Sequence, residues 1–416
     1  MAVRTWERTE SAEGAGQEAS ARADLTVSTT AVPKPGAVID ADQHLSEPRT
    51  MWADFTEASR RHLCLGITED ERGYSWLCQG DRKVYLAEIN HPGDPRAMAR
   101  HRQRLRRGLP PEVAYDDGLV PEMWDPVART RQLDGFGLSR AVVFPNFGLL
   151  WERPLAGDLE ATRVNMAAWN RWAVTVHAES TGRLLPVGHV TLRDLDWLDH
   201  QLGELAAGDV RLAMVAPSLV DGLPLSHPDL DRGWSAFLQH GVTPVFHVAA
   251  FPTFPFDHAW YHDIPDPVDS PMSSVFLGTA PALAIADLVL HGTFERHPDL
   301  KLGVMELTAT WVPSFLQMLD GGFSYYRAFH GEPYSDLSLR PSEYVRRQVR
   351  LAAFGYEDPA RLAEESAADL FMFCSDYPHA EGVVRPIEDY VALAGDVGGE
   401  AGERLFGDNL RWLVGL

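Results

Sequence analysis

Residues 38–48 read VIDADQHLSEP, and the fold is decided by how this stretch is understood. It opens as an apolar, β-branched run and passes into Asp40-Ala-Asp42-Gln-His44. Side chains two apart in an extended strand share a side, so Asp42 and His44 project together from the end of the strand. Seven further apolar runs follow the same plan: 140–145 (RAVVFP), 183–190 (RLLPVGHV), 211–216 (RLAMVA), 243–248 (TPVFHV), 301–306 (KLGVME), 348–354 (QVRLAAF) and 370–376 (LFMFCSD). Between several of them lie amphipathic helical patterns, such as 228–241 and 281–297, each stopped by Gly or Pro. Strand and helix in alternation imply parallel pairing, and eight strands predict a closed (β/α)8 barrel of the TIM type.

Two insertions interrupt the alternation. Residues 49–131 contain a predicted hairpin around Gly80 and Asp81 and an Arg-rich helix, RAMARHRQRLRRG (96–108), and are expected to form a cap after the first strand. Arg104 lies on that helix, which reads either as a solvated face or as a capture surface for an anionic substrate. Residues 249–276, dense in Pro and aromatics and including Trp260, are expected to wall the site. Residues 1–36 are rich in Ala, Ser, Glu, Gly and Thr and read as a disordered tail, leaving 37–416 as one barrel domain.

With 416 residues, 45% of them hydrophobic, the chain can bury a large core. A formal net charge of −22 disfavours nucleic acid and anionic lipid as partners and points to small-molecule chemistry. Cys64, Cys78 and Cys374 are odd in number and unpaired in spacing, which fits a reducing cytoplasm better than a disulfide framework. Neither a signal-peptide pattern nor an apolar run of membrane-spanning length is evident.

In such a barrel the polar residues ending each strand converge at one mouth. They are Asp42 and His44 on the first strand, His247 on the fifth, Glu306 on the sixth and Asp376 on the eighth, with His379 just beyond. Two imidazoles and several carboxylates suit a divalent cation such as Zn, Mn or Fe. Each alone has an ordinary explanation: a lone Asp-x-His is common, His247 could be a packed core histidine, and Asp376 could cap a turn. Together, at three strand ends, they are hard to explain as packing. Glu47 reads as a helix start, a group orienting His44, or a further ligand. Asn146 and His189, at the ends of strands two and three, are candidates for lining the substrate pocket. The only lysines are Lys34, Lys83 and Lys301, none of them at a plausible strand end, so a carboxylated lysine bridge is not expected.

The blocks IDADQHLSEP (39–48), GLPLSHPDLDRGWSAFLQHGVTPVFHV (222–248), GTFERHPDLKLGVMELTATWVP (292–313) and FCSDYPHAEG (373–382) resemble the amidohydrolase-related, metal-dependent barrel enzymes that include aminocarboxymuconate semialdehyde decarboxylase and γ-resorcylate decarboxylase. The resemblance runs from about Val38 to the C-terminus. It implies a metal held by Asp42, His44, His247 and Asp376. Two positions depart from the family: Asp42 stands where many members have His, and Glu306 stands where the decarboxylases place a catalytic His. A metal-dependent hydrolase or non-oxidative decarboxylase of a carboxylated, cyclic small molecule follows, with Glu306 and Asp376 as catalytic groups. The surplus of carboxylates also admits a second reading, a di-iron monooxygenase acting on a small acid or its CoA thioester. A third is a catalytically silent binding protein, which intact polar residues at four strand ends disfavour. The oligomeric state is left open, a homo-oligomer included.

Overall fold

The computed structural model describes residues 37–85, 87–91, 95–253, 256, 258–261, 271–379, 385–394 and 397–416. The tail expected before Gly36 lies outside them, as does part of the aromatic loop. All eight expected barrel strands form: β1 (Ile39–Leu45), β5 (Arg140–Pro145), β6 (Leu184–His189), β7 (Leu212–Met214), β8 (Thr243–His247), β9 (Leu302–Met305), β10 (Val349–Ala353) and β11 (Phe371–Phe373). They pair in parallel in that order. The ring closes through a parallel bridge between Gln43 and Tyr377, where His44 N donates to Tyr377 O (2.8 Å) and Asp376 N to Asp42 O (2.8 Å). Closure therefore falls on the residues that carry the candidate ligands.

Alternation along each strand sorts its side chains into two layers. Val142, Phe144, Val187, Leu212, Met214, Val245, Met305, Ala352, Met372 and Cys374 fill the lumen, with Leu410 and Leu413 of the C-terminal helix packed against them. Their neighbours Ala141, Val143, Ala213, Phe246, Val304, Phe371 and Phe373 face outward to the helices, against groups such as Trp169, Trp234 and Phe237. On β1 the parity is broken. Val38 belongs to the outer layer and Ile39 and Ala41 to the lumen, so strict alternation would put Gln43 inside and Asp42 and His44 outside. A register shift between Asp40 and Gln43 inserts one extra residue, and Asp42 and His44 are redirected to the mouth.

The helices obey local rules. Asp125, Asp158 and Asp194 accept the backbone N–H three residues ahead and cap the helices Pro126–Phe136, Leu159–Glu179 and Leu195–Ala207. The pattern at 281–297 is two helices, Thr279–Leu290 and Thr293–Arg296. Gly292 between them has φ 75°, a conformation that ends an α-helix and that glycine adopts without strain.

The cap contains the expected hairpin around Gly80 and Asp81, extended by a further strand. It is a three-stranded antiparallel sheet of β2 (Leu65–Glu69), β3 (Ser75–Gln79) and β4 (Arg82–Lys83), followed by the helix Pro95–Arg106. The second run pairs only over Arg82–Lys83, and the longer partner of β3 is LGITE, whose half-polar sequence gave little signal. Arg49 anchors β2 through Glu69 (2.5 Å) and the Ile67 carbonyl (2.9 Å), and ties it to Asp116 of the short helix Tyr115–Gly118 (2.8 Å). No described helix is long and apolar enough to cross a membrane.

Candidate metal centre

Six side chains from four strand ends meet at the mouth. His44 Nε2 lies 3.1 Å from Asp376 Oδ1, 3.3 Å from Glu306 Oε2 and 3.6 Å from Asp42 Oδ1. His247 Nε2 lies 3.2 Å from Glu306 Oε2 and 3.5 Å from Asp42 Oδ1. His379 Nδ1 lies 3.1 Å from Asp376 Oδ1, and its ring stacks on that of His44 at 3.9 Å. These atoms fall into two overlapping groups able to surround a cation: Asp42, His44, His247 and Glu306, and His44, Glu306, Asp376 and His379.

The imidazoles are held in one useful form. His44 Nδ1 faces the Pro145 carbonyl (3.2 Å) and His247 Nδ1 the Val248 carbonyl (2.8 Å). A carbonyl only accepts, so each Nδ1 carries a proton, and His247 Nε2 turns a lone pair to the centre. At His44 Nε2 burial opposes a second proton but Asp376 and Asp42 favour it more strongly, so that nitrogen would turn its lone pair inward once a cation displaced the proton. Asp42 and Asp376 (both oxygens), His44 Nε2, His247 Nε2, Glu306 Oε2 and His379 Nδ1 have no hydrogen-bond partner in protein. Eight buried polar atoms without partners, aimed at one another, are expensive in an apolar surround. A divalent cation would satisfy them together, and the donor set of imidazole nitrogens and carboxylate oxygens fits one.

The electrostatics agree. Burial, reinforced by Asp376, pushes the carboxyls of Asp42 and Glu306 well above the usual carboxylate range, while the neighbouring imidazoles partly offset it. Asp376 is buried as deeply, but His379 and His44 hold it below that range. Burial lowers His247 to about 4, so its imidazole is neutral and free to serve as a ligand. Three carboxylates cannot all stay charged here without a cation.

Backbone geometry shows how the chain reaches this arrangement. Met305 faces the lumen, so its successor Glu306 should point outward, yet it meets both imidazoles. Its φ of 52° turns the chain back toward the mouth, and Asp376 has φ 54°. Left-handed backbone at a non-glycine residue is costly, and two of the seven described residues that adopt it, Glu306 and Asp376, belong to this cluster.

Other candidates lie elsewhere. Glu47 is buried, but its carboxylate accepts the backbone N–H groups of Phe147 (2.9 Å) and Gly148 (2.7 Å), and burial raises it to about 7. It thus ties β1 to the loop after β5 rather than joining the cluster. Asn146 Oδ1 accepts from His379 Nε2 (2.8 Å) and so orients that ring. His189 is buried 3.5 Å from Glu152 Oε2, outside the cluster. Arg104 is on the cap helix, bonded to the Pro110 carbonyl (2.9 Å) and near Glu112, and Trp260 is 64% exposed; neither reaches the cluster. Lys83 sits over the Trp76 ring and Lys301 bonds the Trp412 carbonyl, so neither supplies a bridge.

Two buried residues of the support were not foreseen. Asp40 accepts from Asp42 N (3.1 Å), Gln43 Nε2 (2.9 Å) and Ser375 N (2.9 Å), joining β1 to the segment after β11; burial raises it to about 6. Its place in Asp-Ala-Asp was the available signal. Arg129 donates to the Glu122 carbonyl (2.6 Å), Gln43 Oε1 (3.0 Å) and the His44 carbonyl (2.9 Å), joining cap to barrel. Nothing in ARTRQ distinguishes it from the arginines beside it.

No family model and no curated protein matches the chain. Solved structures do. An amidohydrolase from Mycobacterium avium subsp. paratuberculosis K-10 superposes with a TM-score of 0.71 at 24% identity, over 90% of this chain and 98% of that one. A 5-carboxyvanillate decarboxylase from Novosphingobium aromaticivorans, complexed with manganese and 4-hydroxy-3-methoxy-5-nitrobenzoic acid, gives 0.61 at 15% identity, over 91% and 96%. A 2,6-dihydroxybenzoate decarboxylase from Rhizobium gives 0.59 at 15% identity, over 91% and 98%. Closed ring, helical outer layer and small antiparallel insertion after the first strand together make this the amidohydrolase barrel fold.

Proposed function

We propose that the protein is a metal-dependent enzyme that non-oxidatively decarboxylates, or hydrolyses, a carboxylated cyclic small molecule. One observation carries this reading: eight buried donor atoms without protein partners, from four strand ends, gather in two overlapping groups at the mouth. Similarity of fold to decarboxylases of hydroxylated benzoates, one of them complexed with manganese, supports the decarboxylase form.

Accessibility divides the labour. The side chains of Asp42, His44, His247 and Asp376 are fully buried and would hold the ion, although Asp376 stands outside the group that the first three form with Glu306; those of Glu306 and His379 are 10% and 12% exposed and face the mouth. A divalent ion bound there supplies Lewis acidity, drawing electron density from a substrate oxygen. Glu306 is placed to move the proton: in decarboxylation the C–C bond breaks, CO2 leaves, and the ring carbon takes a proton. His379, fixed between Asp376 and Asn146, orients the substrate from the other side.

The test is a panel of hydroxybenzoates, including 2,6-dihydroxybenzoate and 5-carboxyvanillate, with protein reconstituted in Mn or Zn, under air and under argon. CO2 release that needs metal and ignores oxygen supports the proposal. The overlap of two donor groups at His44 and Glu306 favours a second reading, two irons and an oxygen-dependent hydroxylation. Two irons per chain, with product only under air, would establish it and overturn the first.

A further inference from the structure

Outside the metal cluster, another set of buried polar atoms faces the mouth. His189 ends β6 on the lumen side, two residues after Val187, and is 1% exposed. Its backbone is clamped on both sides by Asn170: His189 N donates to Oδ1 (2.7 Å), and its carbonyl accepts from Nδ2 (3.0 Å). Asn170 is fixed in turn by Gln201 (2.9 Å). The ring so positioned has no hydrogen-bond partner at either nitrogen. Glu152 Oε2 stands 3.5 Å from Nε2, and the Trp151 ring lies 5.2 Å away, its fully buried Nε1–H also without a partner.

A roof covers this set. Ala250 N donates to the Leu149 carbonyl (2.7 Å) and Arg153 N to the Ala250 carbonyl (3.1 Å), joining the loop after β5 to the loop after β8 above the strands between them. Leu149 packs with Phe144 and Met214 at the top of the lumen, and the Phe144 ring lies tilted against that of His247 at 4.1 Å. Beside it a cavity of about 130 Å³ is lined by Glu152, Thr191, Arg193, Val215, Ser218 and Thr253. Of the set, Glu152 borders this cavity, and His189 and Trp151 lie buried behind it, at the same C-terminal end of the barrel as the metal cluster.

We infer that His189, Trp151 and Glu152 form a subsite that recognises an uncharged hydroxyl substituent on the substrate, at the end away from the metal-bound group. A carboxylate beside Nε2 draws the imidazole proton to that nitrogen and leaves Nδ1 as acceptor, while the indole N–H only donates. One buried acceptor and one buried donor side by side match a hydroxyl, which does both. Buried polar atoms left unpaired cost free energy, so a fold that positions the His189 backbone through two bonds and leaves its ring unbonded reserves it for a ligand. The inference rests on the proposed function only in taking the hydroxyl to be part of that substrate.

Resorcinol is the probe, since it carries two ring hydroxyls and no carboxylate. Its binding is titrated by NMR against Mn-loaded and chelator-treated wild type, His189→Phe and Glu152→Gln, and melting temperatures are recorded. Saturable millimolar binding with and without Mn, weakened about tenfold by His189→Phe with its melting temperature unchanged or slightly raised, is expected. Glu152→Gln should fold normally and weaken binding less. No saturable binding to wild type, equal affinity in both variants, or a fall of several degrees in His189→Phe overturns the inference. Because the readout is metal-independent binding, failure of the benzoate panel leaves this result standing, and the reverse also holds.

Discussion

Removing the metal should lower the melting temperature by about 3 °C in wild type and hardly at all in Asp42→Asn. The magnitude follows from linkage: an ion at a hundredfold excess over its Kd stabilises the native state by about 2.7 kcal/mol. About 380 residues follow the tail, and at roughly 2.1 cal/mol/K each the unfolding entropy is about 0.8 kcal/mol/K, so 2.7 kcal/mol becomes about 3 °C. Asp42 is the residue of choice because neither carboxylate oxygen has a hydrogen-bond partner in protein, and burial already disfavours its charge. A neutral isostere there loses no bond and relieves repulsion with Asp376. Metal-free Asp42→Asn should therefore melt at or above metal-free wild type, although it falls below the loaded enzyme. Differential scanning calorimetry at neutral pH, with saturating Mn or with chelator, measures all four states. If wild type is indifferent to both additions, or the variant shows the full 3 °C response, the metal-centre assignment is refuted.

Glu306→Gln should abolish turnover and keep one ion per chain if Glu306 is the proton-transfer group; in a two-ion centre it should cost one of two ions, as metal analysis would show. Arg129→Ala leaves the carbonyls of Glu122 and His44 and the Gln43 amide oxygen without their donor, and at about 1–3 kcal/mol for each unsatisfied buried acceptor should destabilise by at least about 3 kcal/mol, or about 4 °C or more on the same scale. Metal-saturated calorimetry of that variant tests it, and a change under 1 °C would remove Arg129 from the support of β1. Deleting residues 2–35 should leave melting temperature and turnover nearly unchanged, and a loss of several degrees would show that the segment packs on the barrel.

The ring of eight strands was legible because each strand announces itself locally, by a short apolar run ending in a polar residue between helical patterns. Those end residues also named the cluster, since parallel strands must deliver their C-terminal ends to one face. Supporting residues were less visible. Arg129 lies in an ordinary amphipathic helix, and what singles it out is the set of carbonyls it meets in the fold. Glu47 drew attention through its place in SEP, but its partners are amides a hundred residues away. The cap strand LGITE carries too little alternation to be recognised alone and exists because Ser75–Gln79 pairs with it.

By itself, then, the sequence determined the strand order, the barrel and the chemical types gathered at its mouth, because apolar periodicity and strand-end polarity are written locally. The tertiary structure decided which of those groups face one another. Strict alternation would have turned Asp42 and His44 away from the lumen and Glu306 away from the mouth. A bulge in β1 and a left-handed residue after β9 turn them back. Neither is encoded by a residue type that favours it: they persist because closing the ring through Gln43–Tyr377 and packing the lumen compensate for the local strain.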